Sequence, residues 1–287
     1  MNYILPGLLF SILWASASVA TKFGLQSAEP LVLATTRFLI AGGLMLIYAH
    51  LAQHKSARFP TKTEWKQLLI FGLLNTTIYL GAFVYAIREV SAGIGSLSTA
   101  TNPLFILLFS ALWLKRGIGK AEISGIILGI LGVLLATYPL LLSSHATLRG
   151  LLILFFAMIS VSLATVYYTS IKWTLSPLII NAWQVFLGGL VLLPLAWFSS
   201  EQRSWTPDTR FWLSVSWLIG PVSIIALQLW FYLVRRDAVK ASLWLFLCPV
   251  FGFIYAAVLL REPITWYTWA GTLLVLAGLY IANRPRR

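Results

Sequence analysis

Long apolar stretches separated by short polar segments dominate the chain. Runs such as 104–114 are apolar on every face of a helix, whereas the strands of a membrane β-barrel alternate apolar and polar residues. About ten stretches reach the roughly 20 apolar residues that a helix needs to cross a bilayer. The pattern therefore predicts an all-α integral membrane protein with ten transmembrane helices. The predicted spans are residues 4–23, 31–50, 67–87, 92–114, 121–142, 150–170, 178–198, 212–234, 239–260 and 266–283.

The connections between these spans are short. The longest of them, residues 50–66, is too short for a soluble enzyme domain. The first span lacks a basic leading segment and a small-residue cleavage pattern, so we expect it to be a retained helix and not a signal peptide.

Composition agrees with this interpretation: 59% of the residues are apolar, 10% are charged, and the mean hydropathy is +0.86. Soluble domains are roughly 45–50% apolar and about 25% charged, so a soluble globular protein is excluded. The net charge of +13 comes from loop residues, which face lipid headgroups, and we expect no nucleic-acid partner. Well over half of the 21 Lys and Arg residues lie on the side of the termini, and the positive-inside rule places both termini in the cytoplasm.

An internal repeat becomes visible when the chain is shifted by 146 residues. The shift superimposes glycines and prolines in corresponding spans: Gly42 on Gly188, Gly43 on Gly189, Pro103 on Pro249, Gly125 on Gly271 and Gly132 on Gly278. We therefore expect two five-helix repeats, 1–143 and 144–287. Because each contains an odd number of spans, the second is inverted relative to the first, which is typical of alternating-access transporters. The alternative is a duplication retained in a membrane protein that does not transport.

Pro103 and Pro249 fall near the centres of the fourth and ninth spans. A proline inside a helix leaves the carbonyl four residues earlier, here that of Thr99 or Leu245, without its usual donor. Interrupted helices at matching places in two repeats point to a binding site at the membrane midplane. The two prolines are thus predicted to form helix kinks with a gating role, and kinks that serve only packing are the alternative.

Several short motifs resemble the drug/metabolite transporter superfamily, in particular its ten-helix exporters built from two EamA-type repeats. The motifs are Trp14-Ala15-Ser16 followed by Lys22, Arg37-Phe38, Asn102-Pro103, and Leu260-Arg261-Glu262-Pro263-Ile264-Thr265 ahead of Gly271 and Gly278. The resemblance covers essentially the whole chain. It implies a central cavity lined mainly by spans one, three, four, six, eight and nine, and export of amino acids or other small metabolites. Arg116 departs from the pattern, because the repeat would place there the counterpart of Glu262.

Polar residues within spans are costly in a membrane and are functional candidates by default. In the third span they share one helical face, and shorter polar faces occur in the first, fourth and eighth spans. The candidates on these faces are Trp14, Ser18, Lys22, Asn75, Tyr79, Ser98, Asn102, Gln228 and Tyr232. Close helix packing through small and polar residues is the alternative.

Cationic and aromatic side chains complete the list of candidate substrate-binding residues. Arg37 lies about 9 Å of helix inside the second span and could attract a carboxylate or phosphate, as could Lys22, although both could instead reach headgroups. Tyr168 and Trp244, with Trp14, Tyr79 and Tyr232, are not readily explained as interfacial aromatics. They could form the wall of a cavity for apolar, aromatic or ammonium-bearing compounds, or simply pack.

The function expected from these features is export of small metabolites, most simply neutral or aromatic amino acids, across the bacterial inner membrane. A multidrug exporter ranks second and an exchanger of phosphorylated metabolites third, while an enzyme or a channel is a remote alternative. All eight acidic residues fall in loops or at span ends, so no proton relay through a buried carboxylate is expected. Neither a metal site nor a cofactor is expected, and the partners would be a small-molecule substrate and the lipid bilayer, with the protein a monomer or weak homodimer.

Overall fold

The computed structural model describes residues 3–52, 58–90, 92–115, 117–143, 147–199, 205–260 and 265–282. Within these ranges the regular secondary structure is entirely helical. We number the helices α1 to α10 in chain order. Their bounds are α1 Ile4–Gly24, α2 Pro30–Ala52, α3 Lys62–Glu89, α4 Ala92–Trp113, α5 Lys120–Ser143, α6 Leu148–Ser170, α7 Pro177–Ser199, α8 Thr209–Val234, α9 Ala238–Leu260 and α10 Trp266–Ala282.

Eight helices of the described ranges, α1 to α4 and α6 to α9, are long and apolar enough to cross a membrane. In α10 the apolar segment Trp269–Ala282 is shorter. The prediction of an all-helical, multi-pass membrane protein is confirmed, while ten crossings and cytoplasmic termini stay predictions. Arg116 and residues 261–264 of the Leu260–Thr265 motif lie outside the described ranges.

Two helices begin earlier than the hydrophobic pattern predicts, because polar side chains cap them. Thr61 and Glu64 form a capping box, in which each side chain accepts the other residue's backbone N–H, and α3 therefore starts at Lys62. Asp208 accepts the Phe211 N–H, and α8 starts at Thr209.

Four helices change their hydrogen-bond pattern midway. α3 and α8 contain π-helical segments, Leu73–Gly81 and Leu218–Ala226, which lie within one residue of corresponding positions of the predicted repeat. α4 and α9 contain 3-10 segments, Thr99–Thr101 and Leu243–Phe246, shortly before the two prolines. The Thr99 carbonyl accepts the Asn102 N–H, and this bond replaces the one that Pro103 removes. The irregular segments lie within spans, where π-bulges often mark functional sites.

Glycines allow α5 and α10 to pack closely side by side. A Cβ at Gly125 would lie 2.6 Å from the Gly278 carbonyl oxygen, and one at Gly132 would lie 2.6 Å from that of Gly271. Residue number rises along one helix while it falls along the other, so the pair is antiparallel. The 146-residue shift maps Gly125 onto Gly271 and Gly132 onto Gly278, so it converts each contact into the other. A two-fold axis perpendicular to the helices produces this relation.

Candidate substrate site

Two small adjoining cavities lie at the centre of the helix bundle, and both are lined by Trp14 and Tyr79. We call them the Arg37 cavity and the Asn75 cavity. The Arg37 cavity is also lined by Ser18, Arg37, Ser96, Thr99 and Cys248, and the Asn75 cavity by Asn75, Asn102, Thr165 and Trp230. The side chains come from both predicted repeats and include residues of the π-helical segment of α3 and of the interrupted part of α4.

The centre of the bundle is closed in this conformation. The Arg37 cavity has a volume of about 20 Å³ and the Asn75 cavity about 10 Å³. One water molecule needs roughly 10–15 Å³, so each space is about the size of one water. A metabolite can enter only after the surrounding helices separate.

Arg37 is buried in the wall of its cavity with 2% of its surface exposed. Its Nε donates to the Ser223 hydroxyl at 2.9 Å, and its guanidinium carbon lies 5.2 Å from the centre of the Phe38 ring. The Nη2 nitrogen is buried without a hydrogen-bond partner, and among the described residues no carboxylate pairs with the guanidinium. A buried cation without a counter-charge is costly, and an anionic group that entered the cavity would reduce that cost.

A chain of buried hydrogen bonds joins the two π-helical segments through α7. The Gln184 Oε1 accepts from the Thr76 hydroxyl at 2.7 Å and from the Asn75 Nδ2 at 3.3 Å, both in α3. The Gln184 Nε2 donates to the Asn181 Oδ1 at 3.1 Å, and the Asn181 Nδ2 donates to the Ser223 carbonyl of α8 at 3.0 Å. Because Ser223 also holds Arg37, the network links the walls of both cavities.

Asn181 and Gln184 were not predicted from the sequence, although both are completely buried. They lie three residues apart and so share one face of an otherwise apolar helix, which is a signal that could have found them. The family resemblance directed attention to six other helices. Five of the lining residues named above were also not predicted to bind substrate: Ser96, Thr99, Thr165, Trp230 and Cys248.

Two shorter polar contacts also join helices at this level. The Ser18 and Ser96 hydroxyls lie 2.9 Å apart and join α1 to α4. The Ser162 hydroxyl donates to the Asn102 Oδ1 at 3.4 Å and joins α6 to α4. Both contacts lie beside the irregular part of α4, and these bonds must rearrange if that helix moves.

An aromatic cluster closes the bundle between the cavities and the side of the termini, which we call the terminal side. The Tyr168 ring stacks on Phe231 with centroids 4.9 Å apart and on Trp173 at 5.8 Å, and Phe71 contacts Tyr168 at 5.3 Å. These rings come from α3, α6, the segment after α6, and α8. A path from the terminal side to the cavities requires this cluster to open.

On the opposite side, the loop before α8 is fixed to the turn after α1. The Thr206 N–H donates to the Ser27 carbonyl at 3.0 Å. The hydrogen bond from the Phe211 N–H holds the pKa of the Asp208 carboxyl below its usual value. The Thr206–Ser27 hydrogen bond holds the end of α1 close to the start of α8 on the opposite side.

Of the residues proposed from sequence to bind substrate, the structure brings Trp14, Ser18, Arg37, Asn75, Tyr79 and Asn102 to the two cavities. It does not bring six others there: Lys22, Ser98, Tyr168, Gln228, Tyr232 and Trp244. Pro103 and Pro249 lie just after the 3-10 segments, as their predicted kink role requires, and no contact tests their gating role.

The six residues outside the cavities are held elsewhere for local reasons. Tyr232 is 38% exposed and packs against Arg236, and Trp244 packs against the backbone at Gly7. The Ser98 hydroxyl donates to a carbonyl in its own helix. Lys22 lies in the last turn of α1, and Tyr168 belongs to the aromatic cluster. Gln228, in α8, is partly buried, and its Nε2 has no hydrogen-bond partner.

Comparisons with known proteins agree with this architecture. An uncharacterized transporter of Archaeoglobus fulgidus is 27% identical over 277 residues, which is 95% of each chain. The uncharacterized inner membrane transporter YedA of Escherichia coli K12 is 28% identical over 92% of this chain and 85% of its own length. The WAT1-related protein At3g02690, chloroplastic, of Arabidopsis thaliana is 24% identical over 95% of this chain and 67% of its own.

A solved crystal structure has the same fold, with a TM-score of 0.77 over 98% of this chain and 96% of that chain at 21% identity. The EamA-like transporter family matches residues 1–138 and 148–284, two stretches that together cover nearly the whole chain. The chain therefore belongs to the EamA-like transporter family and is a membrane transporter of the drug/metabolite transporter superfamily.

Proposed function

We propose that the protein exports small carboxylate-bearing metabolites, amino acids in particular, from the cytoplasm by alternating access. The observation that carries the proposal is Arg37, a buried guanidinium with an unpartnered Nη2 at the wall of the central cavity. A substrate carboxylate would supply the counter-charge and the missing acceptor together. The Trp14 and Tyr79 rings, which both cavities share, would contact the rest of the molecule, including an ammonium group.

The closed centre supports alternating access. Cavities the size of single waters hold no amino acid, so transport requires the bundle to open on each side in turn. The structural support is the interruption of α3, α4, α8 and α9 beside the cavities, where irregular backbone lowers the cost of bending. We assign Pro103 and Pro249 to these hinges.

We also propose that residues 1–143 and 144–287 form the two inverted repeats and that both termini are cytoplasmic. The exchanging glycine contacts of α5 and α10 support the inverted arrangement. The name of the E. coli relative, an inner membrane transporter, supports the same location here. No step in this function requires an enzymatic group or a cofactor.

Export of amphipathic compounds is the second candidate, and one specific feature favours it. A groove of about 820 Å³ lies between α1, α8 and α9 on the opposite side and is lined mainly by apolar residues, with Asp208 and Arg210 at its polar end. It is large enough for a drug-sized molecule. It does not reach the buried cation, so its substrates would need no carboxylate.

The test is uptake into proteoliposomes of labelled phenylalanine, threonine and a lipophilic cation, with and without a pH gradient. We expect saturable amino-acid flux without a gradient, loss of that flux in Arg37→Gln, and normal flux in the control Arg88→Gln, an exposed arginine paired with Glu29. Arg37→Lys shows whether a cation alone suffices. Flux of the lipophilic cation alone would contradict the proposal and favour the second candidate.

A further inference from the structure

A second groove, of about 730 Å³, opens on the terminal side of the bundle. We call it the terminal groove. It lies between the start of α1, the start of α9 and the last turns of α10. It is separate from the two central cavities and shares no lining residue with them.

The rim of the terminal groove is cationic. Arg236 and Lys240 line it together with one carboxylate, Asp237. The Asp237 Oδ1 accepts two backbone N–H groups at the start of α9, at 3.0 and 3.1 Å, so this oxygen caps the helix. The Arg236 guanidinium is 4.5 Å from the Tyr3 ring centre and 4.7 Å from that of Tyr232, and the two rings fix its position.

The wall beneath the rim is apolar. Leu247, Leu276 and Leu279 line it, and Leu276 is 45% exposed on the outer surface of α10. Leu276 lies six residues before the end of α10, which places it roughly 9 Å deeper than that end. A cationic rim at the helix ends above an apolar wall that runs toward the middle of α10 has the polarity of a phospholipid.

We propose that the terminal groove binds one anionic phospholipid, with its phosphate at Arg236 and Lys240 and an acyl chain along Leu276 and Leu279. Basic pockets between helices on the cytoplasmic side of membrane proteins bind anionic headgroups in this way. A zwitterionic lipid would lack the net negative charge that the rim complements.

The experiment compares the protein in nanodiscs of phosphatidylcholine alone and of phosphatidylcholine with phosphatidylglycerol. Native mass spectrometry counts retained lipids, and thermal unfolding measures stabilisation. The test variant is Arg236→Gln/Lys240→Gln. The control, Lys62→Gln/Lys66→Gln, removes two exposed lysines at the start of α3 on the same side. A charge-conserving variant, Arg236→Lys/Lys240→Arg, guards against a simple folding defect.

We expect the wild type to retain one phosphatidylglycerol in preference to phosphatidylcholine and to melt several degrees higher with it. Retention should fall at least tenfold in the test variant and persist in the control and in the charge-conserving variant. Retention of phosphatidylglycerol by the test variant at the wild-type level would overturn the proposal. An equal loss of phosphatidylglycerol in the control would also overturn it, because it would indicate nonspecific electrostatic attraction between basic residues and anionic lipid. Stabilisation by soluble glycerol 3-phosphate alone would reduce the groove to a phosphate site and also overturn the proposal.

Discussion

Replacing Gln184 by Met tests the hydrogen-bond network that joins the cavity walls. Methionine has a similar length and no polar hydrogen, so the change removes three bonds: those to Thr76, Asn75 and Asn181. Side-chain hydrogen bonds between membrane helices average about 0.6 kcal/mol and reach about 1.7. The expected loss is therefore about 2 kcal/mol of unfolding free energy, and about 5 kcal/mol if each bond is at the upper value.

The assay is equilibrium unfolding in mixed micelles with increasing denaturing detergent. Gln228→Met is the matched control, because the Gln228 Nε2 is buried without a hydrogen-bond partner. Removing this amide should therefore change the free energy of unfolding little. A loss of about 2 kcal/mol reduces the folding equilibrium constant roughly 30-fold, well within the range of the assay. The reasoning is refuted if Gln184→Met unfolds within about 0.5 kcal/mol of the wild type, or if the control costs as much.

Three further predictions concern the closed centre, the helix pair and the loop. Phe231→Ala opens the aromatic cluster and should expose Cys248, the single cysteine, to a membrane-permeant maleimide, whose attachment is measured as an increase in mass. If Cys248 is labelled no faster in the variant than in the wild type, the cluster is not the barrier. Gly132→Ala should lower the melting temperature, whereas Gly43→Ala, with open space around it, should leave it unchanged or raise it; equal effects would contradict the close packing. Because the pKa of Asp208 is lowered in the folded protein, its carboxylate contributes its full stabilisation above the ordinary carboxyl pKa and loses it as pH falls through the lowered value. Acid should therefore lower the melting temperature of the wild type more than that of Asp208→Asn. Parallel melting profiles of the two proteins between pH 2 and about 6 would show that the carboxylate contributes nothing.

The length of the apolar stretches predicted the helices well, because a helix that crosses a bilayer needs about 20 apolar residues whatever their exact identity. The spacing of Asn75 and Tyr79, and of Asn102 with the proline, identified side chains that do lie at the cavities. Arg37 was found because a charge inside a span has few stable locations.

Other features depend on how helices meet, which the sequence of one helix does not contain. The π-helical segments of α3 and α8 follow no simple residue period, and only one of them includes a proline, Pro221. Tyr232 and Trp244 share the chemistry of cavity residues, but helix rotation directs them to Arg236 and to the backbone at Gly7. The polar face of α7 was overlooked because a pair of amides gives a weaker signal than a charge.

The central claim is that Arg37 recognises a substrate carboxylate, and competition during transport tests it most directly. Labelled phenylalanine is exchanged across proteoliposomes in the presence of either unlabelled phenylalanine or its amide, which retains the ring and the amino group but has no carboxylate. Charged hydrogen bonds contribute about 1.5–3 kcal/mol, so phenylalanine should compete at least tenfold better than its amide with the wild type. Arg37→Gln should abolish this preference together with most of the flux. Equal competition by the two compounds with the wild type would contradict the account. So would an Arg37→Gln variant that transports phenylalanine at the wild-type rate and still prefers it over its amide.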